Sequence, residues 1–169
     1  MTLRSIIAGK NDILVLGHQN ADPDAIASMV AFARLYLAVN PSGRVTLASD
    51  DVSRIAMQVV QTFSPEVQIR EEVDGKFDMI VMLDTNSGLQ LGPRLAGVLN
   101  DPDRTLVIDH HHEAADLAET ARYAFVQSDK SSTCEILAEM FEEATVQLDP
   151  GTASLLLAGM LFDSRRFLY

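Results

Sequence analysis

The stretch DILVLGHQNADPDAIAS, residues 12–28, contains a short apolar run, a polar loop and the start of a second apolar segment. The apolar run 12–17 has the length expected of a buried strand. Residues 24–39 are rich in Ala, Met and Leu, which predicts a helix that ends near Asn40 and Pro41. A strand that leads through a loop into a helix is the opening of a βαβ unit.

The same alternation of strands and helices continues along the chain. Further strands are predicted, in chain order, at 44–49, 67–70, 77–84, 104–109 and 122–126. Helices are predicted at 51–63, within 89–100, after a capping box at Ser132–Glu135, and from Pro150. This order predicts an α/β fold, a parallel sheet in a three-layer αβα arrangement. In such a sheet ligands bind outside the carboxyl ends of the strands.

Composition narrows the class of protein. The 169 residues are enough for one domain with a substantial core. No apolar run reaches 18 residues, so no membrane-spanning helix is expected, and the apolar stretch at the N-terminus is too short for a signal peptide. Cys134 is the only cysteine, so no internal disulfide can form and a reducing cytoplasm is expected. The net charge of −11 argues against duplex nucleic acid as a partner, but not against a small phosphorylated substrate.

The polar residues that follow the predicted strands are those that bind metals. His18, Asp22 and Asp24 have the spacing H-x3-D-x-D after the first strand, and Asp84 ends the strand 77–84. One interpretation is a metal site built from these side chains. The other is that Asp22 or Asp24 caps the next helix, that His18 is an incidental loop residue, and that Asp84 begins a turn.

A run of three histidines is harder to explain without a metal. Asp109 is followed by His110, His111 and His112, and neutral imidazoles are ligands for Zn, Mn or Fe. A polar loop without a ligand is the alternative. Histidines mixed with carboxylates favour Mn²⁺ or Mg²⁺ over a thiolate zinc site.

Asp163 follows a long apolar helix, where a carboxylate opposes the helix dipole. A nearby cation would remove that penalty, and so would an ion pair with Arg165 or Arg166.

The motifs together resemble the DHH phosphoesterase family. The resemblance is carried in order by HQNADPDAIAS (18–28), LDTNS (83–87), IDHHH (108–112) and GMLFDSRRF (159–167), and SSTCEILAEMF (131–141) is similar to the nano-RNase, pAp-phosphatase and cyclic-dinucleotide phosphodiesterase branch. Ala21 and Pro23 depart from the family's usual Pro and Gly. No GGGH-like motif is present, so we expect residues 1–169 to be the DHH catalytic domain without the DHH-associated substrate-binding domain.

The resemblance also implies roles for individual residues. It implies two divalent cations, Mn²⁺ first and Mg²⁺ or Co²⁺ as alternatives, that together activate a hydroxide. One would be held by His18, Asp22, Asp84 and Asp163 and the other by Asp24, Asp84, His110 and Asp163, so that Asp84 and Asp163 bridge the two. His111 would face the phosphate as a hydrogen-bond donor or acid, Asp109 would fix the orientation of an imidazole, and no role is predicted for His112. Substrate contacts are predicted at Arg165, Arg166 and Ser132, although capping of a helix is the plainer role for Ser132.

These implications define the expected function. We expect a metal-dependent hydrolase of the phosphodiester or phosphomonoester bonds of small nucleotides: short oligonucleotides, cyclic dinucleotides or pAp. The alternatives are an exopolyphosphatase or inorganic pyrophosphatase, and a metal-binding regulatory module without turnover. The resemblance further implies a homodimer.

Overall fold

The computed structural model describes residues 2–165, 167 and 168, which form a six-stranded sheet with helices on both faces. Every strand pairing is parallel, and the spatial order is β3-β2-β1-β4-β5-β6. The strands are β1 Asp12–Leu16, β2 Arg44–Ala48, β3 Ile69–Arg70, β4 Met79–Leu83, β5 Thr105–Asp109 and β6 Tyr123–Val126. The α/β prediction is confirmed.

The helices are α1 Leu3–Ile7, α2 Pro23–Val39, α3 Arg54–Phe63, α4 Leu117–Thr120, α5 Thr133–Glu143 and α6 Pro150–Asp163. Short 3-10 turns cover Gly88–Leu91, Ala96–Val98 and Pro102–Arg104. Strands and long helices lie within a few residues of their predicted bounds. The sequence pattern missed α1 and α4, each of five residues or fewer.

The two faces of the sheet are covered unequally. On one face α2 packs against α3, α5 and α6, and α2 is buried along almost its whole length. This position explains why α2 is apolar all round rather than on one stripe. On the other face, Leu14, Leu16 and Met82 pack beneath Leu91 and Leu95 of the 3-10 segment. The third layer is therefore thin.

The segment 89–100 differs from the predicted short helix. It forms two 3-10 turns separated by Gly92 and Pro93. Gly92 has a φ of 79°, and a Cβ there would collide with the carboxylate of Asp50. The backbone N–H of Arg94 donates to the same carboxylate at 2.9 Å, which fastens this segment to the end of β2.

The capping box of α5 is also altered. Ser132 caps the helix by accepting the N–H of Glu135 at 3.0 Å, as predicted. Glu135 does not return a bond to Ser132, because its carboxylate accepts the N–H of Ser131 at 2.8 Å and the Ser131 hydroxyl at 2.7 Å. The reciprocal bond lies one residue earlier than the motif implies.

No helix among the described residues is both long and apolar enough to cross a membrane.

Gly159 allows α6 to lie directly against the start of α2. A Cβ on Gly159 would lie 2.8 Å from Asp24 Oδ1 and 3.2 Å from Asp24 Cα, and would collide with the Cys134 sulfur. We expect Gly159→Ala to lower the free energy of unfolding by about 1–3 kcal/mol, as overpacking does, despite the roughly 1 kcal/mol that Ala gains over Gly in a helix. Urea denaturation measures the change.

The matched control is Gly97→Ala, because no atom lies within 4 Å of a Cβ at Gly97. A Gly159→Ala protein as stable as the wild type would show that α6 can move away from Asp24.

Candidate metal centre

The predicted ligands meet at the carboxyl end of the sheet, where β1 and β4 lie side by side. The chain adds β2 and β3 on one side of β1 and then β4, β5 and β6 on the other side, so the strand order reverses between β1 and β4. Open α/β sheets form their binding crevice at such a point. His18 follows β1, Asp84 follows β4, and His110 follows β5. Asp22 and Asp24 lie at the start of α2, and Asp163 is the last residue of α6.

All six predicted ligands fall into groups whose ligand atoms lie within 4.8 Å of one another. The groups are His18–Asp22–Asp84, Asp24–His110–Asp163 and Asp84–His110–His111. The first two contain three of the predicted ligands of each cation, and Asp84 belongs to two groups. Asp163 belongs only to the second group, so its bridging role stays a prediction.

Asp84 is the centre of the cluster. It is buried, with a φ of 60°, a left-handed conformation that costs a non-glycine residue about 1 kcal/mol. Its Oδ1 lies 3.5 Å from His110 Nε2 and its Oδ2 lies 3.8 Å from His18 Nε2. Burial, reinforced by the negative charges of Asp24 and Asp22, raises the pKa of Asp84 well above its usual range.

His110 contains a buried nitrogen without a hydrogen bond. Its Nε2 lies 2.9 Å from Asp163 Oδ2, but no partner among the described residues meets this atom at a hydrogen-bonding angle. Burial favours the neutral ring, but Asp163 and the surrounding acids outweigh it and raise the pKa of His110. A buried, unsatisfied nitrogen between carboxylates is the arrangement a cation would complete. The donor set of imidazoles and carboxylates suits Mn²⁺ or Mg²⁺.

Asp22 caps α2 and also belongs to one of the groups that could hold a metal ion. Its Oδ1 accepts the N–H groups of Asp24 at 2.9 Å and Ala25 at 3.1 Å, so it is the N-cap of α2. Pro23 occupies the first helical position, where proline is favoured. Ala21 donates its N–H to Asp51 at 3.1 Å, a bond that a proline at this position could not make.

Asp24 is fully buried and accepts hydrogen bonds from α5, a helix that is distant in sequence. Its Oδ2 accepts the N–H of Thr133 at 2.7 Å and its Oδ1 accepts the N–H of Cys134 at 3.0 Å, both at the start of α5. Burial raises the pKa of Asp24, and these bonds partly oppose the shift. Sequence patterns did not reveal this role, because the partners are more than 100 residues apart.

His18 is held by two hydrogen bonds, one at its ring nitrogen Nδ1 and one at its backbone carbonyl. Its Nδ1 lies 2.8 Å from the carbonyl of Gln19, so Nδ1–H donates there and Nε2 is left to face Asp84. The Ser49 hydroxyl donates to the carbonyl of His18 at 2.9 Å, which ties the loop to the end of β2. The ring is therefore oriented before any ligand arrives.

Asp109 holds the ring of His111 as predicted. Its Oδ1 accepts from His111 Nδ1 at 2.8 Å and from the His111 N–H at 3.2 Å. Burial alone would raise the pKa of Asp109, but the bonds from His111 outweigh it and the pKa is lowered. The bond to Asp109 raises the pKa of His111. Since Nδ1 is the donor to Asp109, Nε2 is the ring nitrogen left for other partners.

Asn86 is a site residue for which the sequence motif suggested no role. Its Nδ2 donates to Asp109 at 2.5 Å and to the carbonyl of His112 at 3.1 Å, while its Oδ1 accepts the N–H of Ala114 at 2.6 Å. These three bonds fix the loop that carries the histidines. The only signal in the sequence was its place two residues after Asp84.

None of the groups that could hold a metal ion in the described part of the chain includes Ser132 or Arg165, two of the predicted substrate contacts. Ser132 is buried and its hydroxyl caps α5, which is the plainer of its two predicted roles. Arg165 is exposed two residues beyond Asp163 and has a φ of 46°. Arg166 lies outside the described residues. The side chain of His112 is exposed.

Comparison with known proteins identifies the family of this chain. A family model described as DHH family, N-terminal domain, matches residues 12–160. The chain is 31% identical over 157 residues to an uncharacterized protein of Methanocaldococcus jannaschii, covering 92% of this chain and 46% of the relative. It is 23% identical to the cyclic-di-AMP phosphodiesterase GdpP of Bacillus subtilis, covering 98% of this chain and 26% of that protein.

Two further matches carry names that refer to other phosphate substrates. A probable manganese-dependent inorganic pyrophosphatase of Staphylococcus aureus is 28% identical, covering 90% of this chain and 48% of the relative. The crystal structure of an exopolyphosphatase-related protein from Bacteroides fragilis superposes with a TM-score of 0.80 at 18% identity, covering 98% of this chain and 49% of the other, which shows the fold alone. The chain thus spans about half the length of these relatives or less.

The burial of Asp84 among other carboxylates predicts that the stability of the metal-free protein depends on pH. Because the pKa of Asp84 is raised in the folded protein, the folded state keeps its proton to higher pH than the unfolded chain does. Stability without metal should therefore fall as the pH rises from the ordinary carboxyl value of 3.8 through the raised value. We expect Asp84→Asn to stabilise the metal-free protein at pH 8, by about 1 kcal/mol or 2–4 °C in Tm, and less at pH 5.

Thermal unfolding with and without Mn²⁺ measures both effects. Mn²⁺ should raise the Tm of the wild type and leave that of Asp84→Asn unchanged. Asp103→Asn is the control, because Asp103 is exposed and pairs only with Arg122 among the ion pairs of the described chain. An Asp84→Asn protein less stable than the wild type at pH 8 would contradict the proposed repulsion.

Proposed function

Because the chain belongs to the DHH family, we propose that it is a metal-dependent phosphoesterase acting on small nucleotides. The substrates would be short oligonucleotides, cyclic dinucleotides or pAp. The centre would hold two divalent cations, Mn²⁺ first. One would be bound by His18, Asp22 and Asp84, and the other by Asp24, His110 and Asp163, with Asp84 able to serve both.

The charge of the cluster is the observation that carries this proposal. Four carboxylates, those of Asp22, Asp24, Asp84 and Asp163, belong to two groups of metal-binding geometry that lie against each other. When ionised they carry four negative charges in a partly buried space, where like charges repel strongly. Two divalent cations carry the same total with opposite sign, and the unsatisfied Nε2 of His110 gives one of them a nitrogen ligand.

The cations, when bound, would lower the pKa of a water molecule and neutralise charge on phosphate oxygens. The chain's own residues would orient the reactants. The hydrogen bond from His111 Nδ1 to Asp109 leaves Nε2 of His111 at the half-exposed edge of the site, where it can donate to a phosphate oxygen or to the leaving oxygen. The lowered pKa of Asp109 keeps that carboxylate ionised and the imidazole correctly oriented.

A second candidate substrate is pyrophosphate or polyphosphate. It is favoured by the name of the S. aureus relative, a probable manganese-dependent inorganic pyrophosphatase. The chemistry of the centre is the same for both classes, because each contains a phosphoryl group and an oxygen leaving group. A panel of pAp, dinucleotides, pyrophosphate and polyphosphate separates the two.

We expect the purified protein to hydrolyse bis-p-nitrophenyl phosphate in the presence of Mn²⁺. Asp84→Asn should lower kcat/KM about 10³-fold or more, because bound cations contribute several kcal/mol of charge stabilisation. Asp103→Asn, far from the centre, should keep full activity. Release of p-nitrophenolate measures the rate.

Binding of Mn²⁺ without turnover of any phosphoester would favour the regulatory module instead. Turnover that persists in Asp84→Asn would place the catalytic centre elsewhere.

Replacement of His111 should separate catalysis from metal binding. We expect His111→Gln to lower kcat by roughly 10²-fold, at the lower end of what general acid–base catalysis contributes, while the number of bound Mn²⁺ ions stays the same. Steady-state kinetics and metal analysis of the same sample measure the two quantities. Loss of Mn²⁺ in His111→Gln would instead make His111 a ligand, as its place in the Asp84–His110–His111 group allows.

A further inference from the structure

Thr133, the first residue of α5, contacts one residue of the His18–Asp22–Asp84 group and one of the Asp24–His110–Asp163 group. It is fully buried. Its backbone N–H donates to Asp24 Oδ2 at 2.7 Å, and its hydroxyl donates to Asp84 Oδ1 at 2.8 Å. Asp24 and Asp84 belong to different ligand groups. Thr133 therefore contacts one carboxylate of each group, through two atoms of one residue.

We propose that Thr133 is a positioning residue that sets the separation and orientation of the Asp24 and Asp84 carboxylates, and through them the spacing of the two cations. The proposal rests on the proposed two-cation function and goes beyond it, because it assigns the geometry of the pair to a residue that is not a ligand. The substrate contact predicted in this segment is Ser132, whose hydroxyl caps α5, whereas the residue that contacts both carboxylates is its neighbour Thr133.

The hydroxyl bond is what fixes the rotation of the Asp84 carboxylate. The terminal torsion of an aspartate is broad, so a carboxylate without a fixed partner can rotate. Among the described residues, Thr133 is the donor of a hydrogen bond to this carboxylate, while the nearest histidine nitrogens lie at 3.5–3.8 Å. One hydroxyl occupies one of about four lone-pair positions of the carboxylate. The others stay available to cations.

The other end of the link is rigid. Both oxygens of Asp24 accept backbone amides, from Thr133 and Cys134, at the first turn of α5. The cap formed by Ser132 fixes that turn. Threonine is β-branched and so has few χ1 positions, which transmits the position of the backbone to the hydroxyl. The distance between the carboxylates is thus determined by the start of one helix.

The test uses three variants of the full chain. Thr133→Val keeps the shape and the backbone bond to Asp24 but removes the hydroxyl. Thr133→Ser keeps the hydroxyl. Thr105→Val is the matched control, because Thr105 is also fully buried and its hydroxyl donates to the carbonyl of Asp101 at 3.1 Å, at the opposite end of β5.

Calorimetric titration with Mn²⁺ should show a 10- to 100-fold loss of affinity in Thr133→Val, the range seen when a partner of a metal ligand is removed. Thr133→Ser should stay within a few-fold of the wild type, and Thr105→Val should match it. Electron paramagnetic resonance of the loaded proteins should show the magnetic coupling of two neighbouring Mn²⁺ ions changed in Thr133→Val alone. If Thr133→Val does not fold, Thr133→Ala replaces it.

The outcomes for the two proposals are distinguishable. Wild-type protein that binds fewer than two Mn²⁺ ions would overturn the two-cation function and this inference with it. Two coupled ions in the wild type with unchanged affinity and coupling in Thr133→Val would overturn only the role of Thr133. An equal loss in Thr105→Val would also overturn it, because the effect would then be general destabilisation.

Discussion

Electrostatic repulsion between buried carboxylates is the constraint on which the functional end of this protein depends. Burial raises the pKa of both Asp24 and Asp84; the charge of Asp163 adds to the shift at Asp24, and the charges of Asp24 and Asp22 add to the shift at Asp84. Such a cluster is unfavourable on its own, since each charge loses its water and meets charges of the same sign. The surrounding fold is built to hold the cluster in place, with amides from α5, a hydroxyl from Thr133 and a loop fixed by Asn86.

The parallel sheet makes this concentration of charge unavoidable. In a parallel sheet all strands end at one edge, so residues that follow β1, β4 and β5 must meet there. β4 lies between β1 and β5 and pairs with both, α2 begins at the same edge, and α6 ends there. Four separate segments of the chain therefore contribute to one centre without any long excursion of a loop.

The fold was largely predictable because its determinants are local. Apolar runs of five to eight residues identified β1, β4 and β5, and helical periodicity identified α3. The candidate ligands could be predicted because each follows a strand or ends a helix and because the motifs resemble a family. The rest could not be found this way. The amides of Thr133 and Cys134 on Asp24, the three bonds of Asn86 and the left-handed backbone of Asp84 arise from contacts between segments distant in sequence, which no local pattern encodes.

Departures from the predicted local motifs have the same cause. Glu135 lies at the correct spacing for a capping box with Ser132, but in the folded chain its carboxylate meets the backbone and hydroxyl of Ser131. The segment 89–100 has helical composition around Gly92, but its attachment to Asp50 bends it into two short turns. In both cases a tertiary contact selected one of several local geometries of similar energy.

The placement of His18 near the start of the chain and Asp163 near the end of the described part has a consequence for how the protein holds together. A cation pair at this centre would act as a cross-link between segments separated by most of the chain, and closing so long a loop removes more conformational entropy from the unfolded chain than closing a short one. The same ions would then hold the first βα unit, β1–α2, against the last helix, α6. Their loss would loosen the domain along its whole length rather than at the site alone.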